Sequence, residues 1–553
     1  MENAIAFSLS NCTFDWIRGA ALKVSVCSLS QFENVKIKRC GGGAVIHQPR
    51  PAVWIPDGGG KEIVQGSVFT GFKVEACYDT SYLYLGENHS GNKFDDLGFE
   101  ADPDTGGTAQ TFLRVCGDRN HFGKLHFNRS SHYSKHVKML VEAAGCQFGE
   151  LTFAGRAGVN GSLEVAGSAS DNQFDAVHIQ SFFPVDRVQN PTLWDWSDLS
   201  HLLVSGERNQ FGKVVCSQYE DRRHVGKLSI LGARNQVGQL IDTGSMGLVV
   251  GGFHNKLGSI ISKECPLTAL VLNGHRTDIT QALIEDCAAE DEPVVKIEAP
   301  LVDELDRGWS SEARASIRVV GAEDASEGIL VLSGDVELLP GTQVRNVRLG
   351  HGIRWCGPRG GWNGAQVVDV GQDGFFVDGG SPLSMVDRVA RQCNTRSSGH
   401  GGFRVAASTA APERASCVGF LVREDGSSHD YSVKVESAGT STSAQTGWQF
   451  QGNVADGGPV SLPTTVKHGV DFDSQGLGDE ITVDATTIAL PDPANVFRMG
   501  PDSPPNQLNT ITASRPGRRV TLIFTGIQTI NDNTGNIKLR GAWASSSPRR
   551  TTP

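Results

Sequence analysis

Between residues 30 and 262 the chain keeps returning to one eight-residue phrase, most legibly as NHFGKLHF (120–127), CQFGELTF (146–153), NQFDAVHI (172–179), NQFGKVVC (209–216) and NQVGQLID (235–242). The third letter is apolar in every copy: Phe32, Phe69, Phe94, Phe122, Phe148, Phe174, Phe211, Val237 and Leu257. The sixth is apolar as well, running from Val35 and Phe72 through Leu125 and Leu151 to Ile260. The eighth follows from Ile37 to Cys216 and fails only at Asp242 and Ser262. Polar letters between apolar ones are the period of a strand with one buried face.

A second apolar pair precedes the phrase by seven and five places, as in Leu113/Val115, Met139/Val141, Leu202/Val204, Leu228/Ile230 and Leu248/Val250, with Val165/Gly167 a partial match. Each repeat therefore carries at least two short strands. Successive starts from residue 92 lie 28, 26, 26, 37, 26 and 20 residues apart, the length of one solenoid coil. A leucine-rich repeat has a similar period but alternates its strand with a helix or 3₁₀ segment. Here a second strand pair stands in the helix's place, so the expected fold is all-β: a right-handed parallel β-helix with a small C-terminal β domain. Equivalent side chains should then stack at the strand spacing, Phe on Phe and Asn on Asn. Asn and Gly between the strand pairs tolerate left-handed backbone and suit the corners. The corner Asn is read as a ladder that satisfies its own backbone.

Composition agrees, with 66 glycines, 5 methionines and 7% aromatics. A net charge of −11 and the lack of a long basic run beyond Pro548–Arg550 argue against a nucleic-acid partner. No apolar run reaches the length of a membrane span, and the opening MENAIAFSLS lacks a basic n-region, so neither a membrane nor a secretory signal is expected. The 12 cysteines show no ligand spacing and read as buried free thiols.

Composition shifts divide the chain into regular coils (1–284), an acidic irregular connection (285–328), irregular coils (329–475), a β-rich cap or trimerisation domain (476–544) and a disordered tail (545–553).

Chemistry is expected where one coil departs from the others. The stretch between the two strand pairs is 11 residues long after Phe127, Phe153 and Cys216 but 22 after Ile179. That long loop, QSFFPVDRVQNPTLWDWSDLSH (180–201), holds Trp194 and Trp196 beside Asp195 and Asp198, a composition suited to stacking on and hydrogen-bonding a sugar. Stacked coils would flank it with Arg129, His132, Tyr133 and Arg156 on one side and Glu220, Asp221, Arg222 and His224 on the other. Glycoside hydrolysis needs one protonated and one ionised carboxyl, for which Asp195, Asp198, Glu220 and Asp221 are the candidates. Lyase chemistry on an acidic sugar would instead draw on His132 or Tyr133 as base, with Arg129, Arg156 and Arg222 neutralising the uronate. The tryptophans and the basic and aromatic flanking residues are the expected substrate-binding groups. DPDTGG (102–107) lacks the remaining ligands of a calcium loop, and no phosphate loop, GxSxG or HExxH is present, so neither metal nor cofactor is expected.

With its Asn-cornered coils, its aromatic and acidic side loop and the terminal segment GRRVTLIFTGIQTINDNTGNIKLRGAW, the chain resembles the pectate-lyase-like β-helix superfamily and, more narrowly, bacteriophage tailspike proteins. The resemblance implies a homotrimer in the phage tail that binds and usually cleaves bacterial surface polysaccharide. A noncatalytic receptor-binding spike and a secreted pectate-lyase-like bacterial enzyme are the alternatives. The superfamily has no universal catalytic motif, so no site residue is carried over from it.

Overall fold

The computed structural model describes residues 4–40, 51–58, 63–100 (apart from 76 and 78–80), 111–128, 137–156, 163–182, 200–217, 226–287, 291–298, 312–322, 324–332, 335–357, 359–379, 384–393, 399–406, 415–423 and 430–436, with short strands between 448 and 530. Every element among them is a strand, and no helix in them is long and apolar enough to cross a membrane.

The phrase forms one face of a parallel β-helix. Its copies are rungs of a 24-stranded parallel sheet, here called the repeat sheet. Phe122 pairs with Phe148, Phe148 with Phe174 and Phe174 with Phe211. The preceding apolar pair forms a second parallel ladder, the return sheet, which runs from Leu22–Lys23 to Val460–Ser461 with Leu113, Met139, Leu163, Leu202, Leu228, Leu248 and Leu270 in register. A third side is vestigial. It pairs Ala4–Ile5, Cys27–Ser28 and Val64–Gln65 and continues as single bridges such as Ala144 to Ser170 and Ser170 to Glu207.

The period-two pattern places the apolar letters inside. Phe32, Phe69, Phe94, Phe122, Phe148, Phe174 and Phe211 form one unbroken column with ring centroids 4.5–4.9 Å apart and near-parallel planes. A shorter column joins Phe99, Phe127 and Phe153. All of these rings are buried, and each is worth about 1.5–3 kcal/mol in burial alone. The glycine inside the phrase has its own reason: a Cβ at Gly212 would lie 2.6 Å from the Asp175 carbonyl oxygen, and one at Gly238 would lie 2.6 Å from that of Gly212. At these two positions the neighbouring backbone comes too close for a side chain, although the coil before them carries Asp175 at the same letter.

The corners correct two sequence expectations. The left-handed residue is not the Asn but the one before it: Arg119, Asp171, Arg208, Arg234 and His254 have φ between 53° and 57°, and Gly91 and Gly145 occupy the same place in other coils. The Asn is buried and bridges coils. Asn172 Nδ2 donates to Ala143 O at 2.9 Å and to Asn209 Oδ1 at 3.0 Å, Asn209 N donates to Asn235 Oδ1 at 2.9 Å, and Asn235 N to Asn255 Oδ1 at 2.9 Å. This is the expected self-satisfying ladder, which pairs backbone groups that a buried corner would otherwise orphan. Cys146 holds the Asn place in one coil, and its backbone N–H donates to Asn172 Oδ1 at 2.9 Å. Second, the return-strand pair before residue 172 is Leu163/Val165 and not Val165/Gly167, because the turn that follows it is two residues longer than in the preceding coil.

The eighth-letter failures keep register and turn inward. Cys216 pairs with Asp242, Asp242 with Ser262 and Ser262 with Ile284. Asp242 is fully buried; its Oδ2 accepts hydrogen bonds from the Ser245 hydroxyl and, at 3.2 Å, from Ser262 Oγ, while its Oδ1 has no partner among the described residues. Burial pushes its pKa up to about 6 against the lowering effect of the serine hydroxyls. A carboxyl whose folded pKa exceeds its unfolded one stabilises the fold fully below the unfolded value, and that contribution is lost as pH rises through the folded one. Stability is therefore expected to fall between about pH 4 and 6 by roughly 3 kcal/mol at this site, at about 1.4 kcal/mol per pKa unit. Asp242→Asn should flatten that slope and unfold at higher denaturant than the parent at pH 7 but not at pH 4. Parallel losses for both proteins across this range would refute the assignment.

One segment also differs from expectation. Segment 285–328 is no irregular connection where it is described: Pro293–Ile297 and Glu312–Val320 pair with coils on both sides. Its acidic letters obscured the inward residues Ala313, Ala315, Ile317 and Val319, which are apolar and buried. The short strands from 481 onward pair in parallel among themselves, Ile481–Val483 with Val496–Pro501 and Thr487–Leu490 with Thr510–Ala513. The described cysteines are free and mostly buried.

Candidate functional site

Four consecutive repeat strands end in register. Asn128 pairs with Ala154, Ala154 with Gln180 and Gln180 with Ser217, so the loops that follow leave one edge of the solenoid. They re-enter in register too, through Met139, Leu163, Leu202 and Leu228. At about 4.8 Å per rung the four roots span roughly 15 Å. The loops themselves, 129–136, 157–162, 183–199 and 218–225, lie outside the described residues. With them go Arg129, His132, Tyr133, Trp194, Asp195, Trp196, Asp198, Glu220, Asp221, Arg222 and His224. Of the sequence candidates only Arg156 falls on a described strand, where its backbone pairs with Phe182.

Beside these roots, the outward positions of the return sheet bring Tyr84, Arg114, Leu140, Glu164 and Leu203 into one row. Arg114 grips Glu142 with two donors, Nε at 2.6 Å and Nη2 at 3.2 Å, and lies over the Tyr84 ring. Cys116 Sγ donates to the same carboxylate at 3.1 Å, and Tyr84 donates its hydroxyl to Asp57 at 2.6 Å. Glu142 follows Val141, which pairs with Val165, so Glu142 and Glu164 stand on adjacent rungs as diagonal neighbours. Their environments pull in opposite directions. For Glu142 burial works upward, but the Arg114 and Cys116 hydrogen bonds and the Arg114 charge outweigh it and hold the carboxyl below its ordinary range. For Glu164 burial raises the pKa and the Glu142 charge raises it further. Two neighbouring carboxyls whose pKa values are pushed apart, one down and one up, are the arrangement from which acid/base catalysis divides its labour. Sequence reasoning missed both, because each is a single acidic letter inside an otherwise ordinary return strand, LVEAAG and SLEVAG.

A second polar cluster occupies the same edge further along the stack. His351 opens the return strand His351–Trp355, Asp373 lies in the turn before Phe375–Val377, His400 precedes Gly401–Val405, and Tyr431 opens Tyr431–Val435; the four strands are successive rungs. The Asp373 side chain is wholly buried. Its Oδ1 accepts Tyr431 Oη at 2.6 Å and Gly401 N at 2.8 Å, and its Oδ2 lies 3.1 Å from His400 Nδ1, 3.5 Å from His351 Nδ1 and 3.7 Å from Arg404 Nη1. Burial works to raise the Asp373 pKa, but His400, His351 and Tyr431 together hold it below the ordinary range. Burial pushes His351 down to about 4 despite the nearby Asp373, so its ring is neutral at neutral pH. Its Nδ1 accepts the Asp373 amide at 3.2 Å, which puts the ring proton on Nε2. Burial and the Asp373 charge drive the Tyr431 phenol upward and keep it protonated. Around this core Arg354 bridges Glu327 and Asp378, Arg404 pairs with Glu436, and both guanidinium groups lie over Phe376. The available sequence signal was a polar residue followed by Gly ahead of an apolar return strand: His351-Gly352, Asp373-Gly374 and His400-Gly401.

These ladders, with loops gathered on one edge, define the molecule as a parallel β-helix. No protein-family model, no curated protein and no solved structure matches the chain.

Proposed function

We propose that the protein is a tailspike-like depolymerase that binds bacterial surface polysaccharide, whether capsule, O-antigen or exopolysaccharide, and cleaves it by glycoside hydrolysis. In this reading Glu164 is the general acid, Glu142 is the ionised partner, and the loop carrying Trp194 and Trp196 supplies the sugar-stacking surface. The observation that carries it is the pair of neighbouring carboxyls whose pKa values are pushed in opposite directions, beside the return strands that the in-register loops lead into. A solenoid wall suits a polymer, since successive rungs offer successive sugars equivalent positions. The homotrimer and the place in the phage virion tail come with the resemblance and belong to the same proposal.

Hydrolysis is favoured over lyase chemistry on the described wall. Tyr84, the one phenol in the row, is held protonated by burial and by its bond to Asp57, and Arg114 is already paired with Glu142, so neither a phenolate base nor an unpaired guanidinium for a uronate stands in that row.

Incubation with a panel of capsular, O-antigen and exopolysaccharide substrates tests the reading. The expected result is a shorter polymer with new reducing ends and no ultraviolet-absorbing unsaturated product. An unsaturated product would replace hydrolysis by elimination. Binding without shortening across the panel would leave a noncatalytic receptor-binding spike.

A further inference from the structure

We propose that His351, Asp373 and His400 form a binding site for a divalent cation of the zinc class, held by His351 Nδ1, Asp373 Oδ2 and His400 Nδ1. The three groups come from successive coils, and their ligand atoms all lie within 4.8 Å of one another. The carboxylate oxygen is 3.1 Å from one ring nitrogen and 3.5 Å from the other. Two ligands each about 2.1 Å from a metal are about 3.0 Å apart at an octahedral edge and about 3.4 Å apart at a tetrahedral one. Both carboxylate-to-nitrogen spacings are thus those of a coordination shell, and the two ring nitrogens, within 4.8 Å of each other, close onto a shared ion by a small shift.

The surroundings serve the same end. Asp373 Oδ1 is fixed by Tyr431 Oη and Gly401 N, which leaves Oδ2 turned toward both rings; ligating carboxylates are commonly held in this way by a second layer of hydrogen bonds. A metal at His351 Nδ1 would replace the hydrogen bond that this atom accepts from the Asp373 amide at 3.2 Å, and neutral imidazole is the form that ligates. The nearest cation, Arg404, is shared between Glu436, 3.0 Å from Nη2, and Asp373 Oδ2, 3.7 Å from Nη1. Across the cluster four carboxylates (Glu327, Asp373, Asp378, Glu436) face three cations (Arg354, Arg404, Lys434), so a divalent ion enters a field that is net negative. Two imidazoles with one carboxylate select zinc and its first-row neighbours over calcium or magnesium, which prefer all-oxygen shells. A bound ion would tie three coils together on an edge that the Asn ladder does not reach.

The test uses the full chain, stripped with chelator, dialysed, and titrated calorimetrically with zinc chloride at pH 7.5. One ion per chain is expected, with a thermal midpoint that rises with zinc and not with equimolar calcium or magnesium. Cobalt(II) should add visible absorption that zinc removes. His400→Gln, at a half-buried turn position, should keep the parent's circular dichroism and weaken zinc binding at least tenfold; His351→Gln is the second variant if the first is poorly folded. Absence of stoichiometric binding, or equal affinity in parent and both variants, would overturn the site. No polysaccharide enters the measurement, so its outcome is independent of the depolymerase reading.

Discussion

Glu164→Gln is expected to lower polysaccharide cleavage by about 10²–10⁴-fold, the usual share of a positioned general acid, while glycan binding and the unfolding midpoint stay near those of the parent. The glutamine keeps the size of the side chain and one acceptor but cannot protonate a leaving oxygen. Glu142→Gln should also lose activity, and with it the ion pair to Arg114, so its effect mixes catalysis with a modest stability change. The pH profile separates the two roles: raised and lowered carboxyl pKa values predict a bell whose alkaline limb belongs to Glu164 and whose acid limb belongs to Glu142. Full activity in Glu164→Gln would remove this pair from the mechanism and return the chemistry to the loop carboxylates Asp195, Asp198, Glu220 and Asp221.

The largest effect on stability is expected from Phe148→Ala, at about 3–5 kcal/mol. Phe148 is buried between Phe122 at 4.8 Å and Phe174 at 4.6 Å, so truncation opens a cavity in the middle of a continuous column and strips a stacking partner from both neighbours. In a solenoid each coil touches only the next, and a weakened interface cannot be compensated from across a globular core. Lys124→Ala, on the exposed face of the same sheet, should change the urea midpoint little. A loss below about 1 kcal/mol for Phe148→Ala would mean that the column does not carry the coil interface as argued, since even modest core truncations exceed that.

The fold was legible because its repeat is written in the chain. A two-residue alternation, an Asn corner and a coil-length period each demand the same stacked geometry, and register follows once Phe must lie on Phe. Irregularities hid where one signal was masked by another, as when acidic letters around Glu312–Val320 covered the apolar inward residues that continue the ladder. The candidate sites were less legible. Loop composition drew attention to residues 180–201, whereas Glu142 and Glu164, or His351, Asp373 and His400, are isolated letters whose neighbours in space lie a coil away in the chain.

The amino-acid order alone determined the parallel β-helix, the inward columns, the Asn ladder and the shared edge of the four loops, because each depends on local periodicity repeated at a coil's length. Which polar groups meet, and which of them stay ionised, was decided only by the tertiary structure. Those properties depend on distances across rungs and on the loss of water around each group, and neither is a property of any short stretch of sequence.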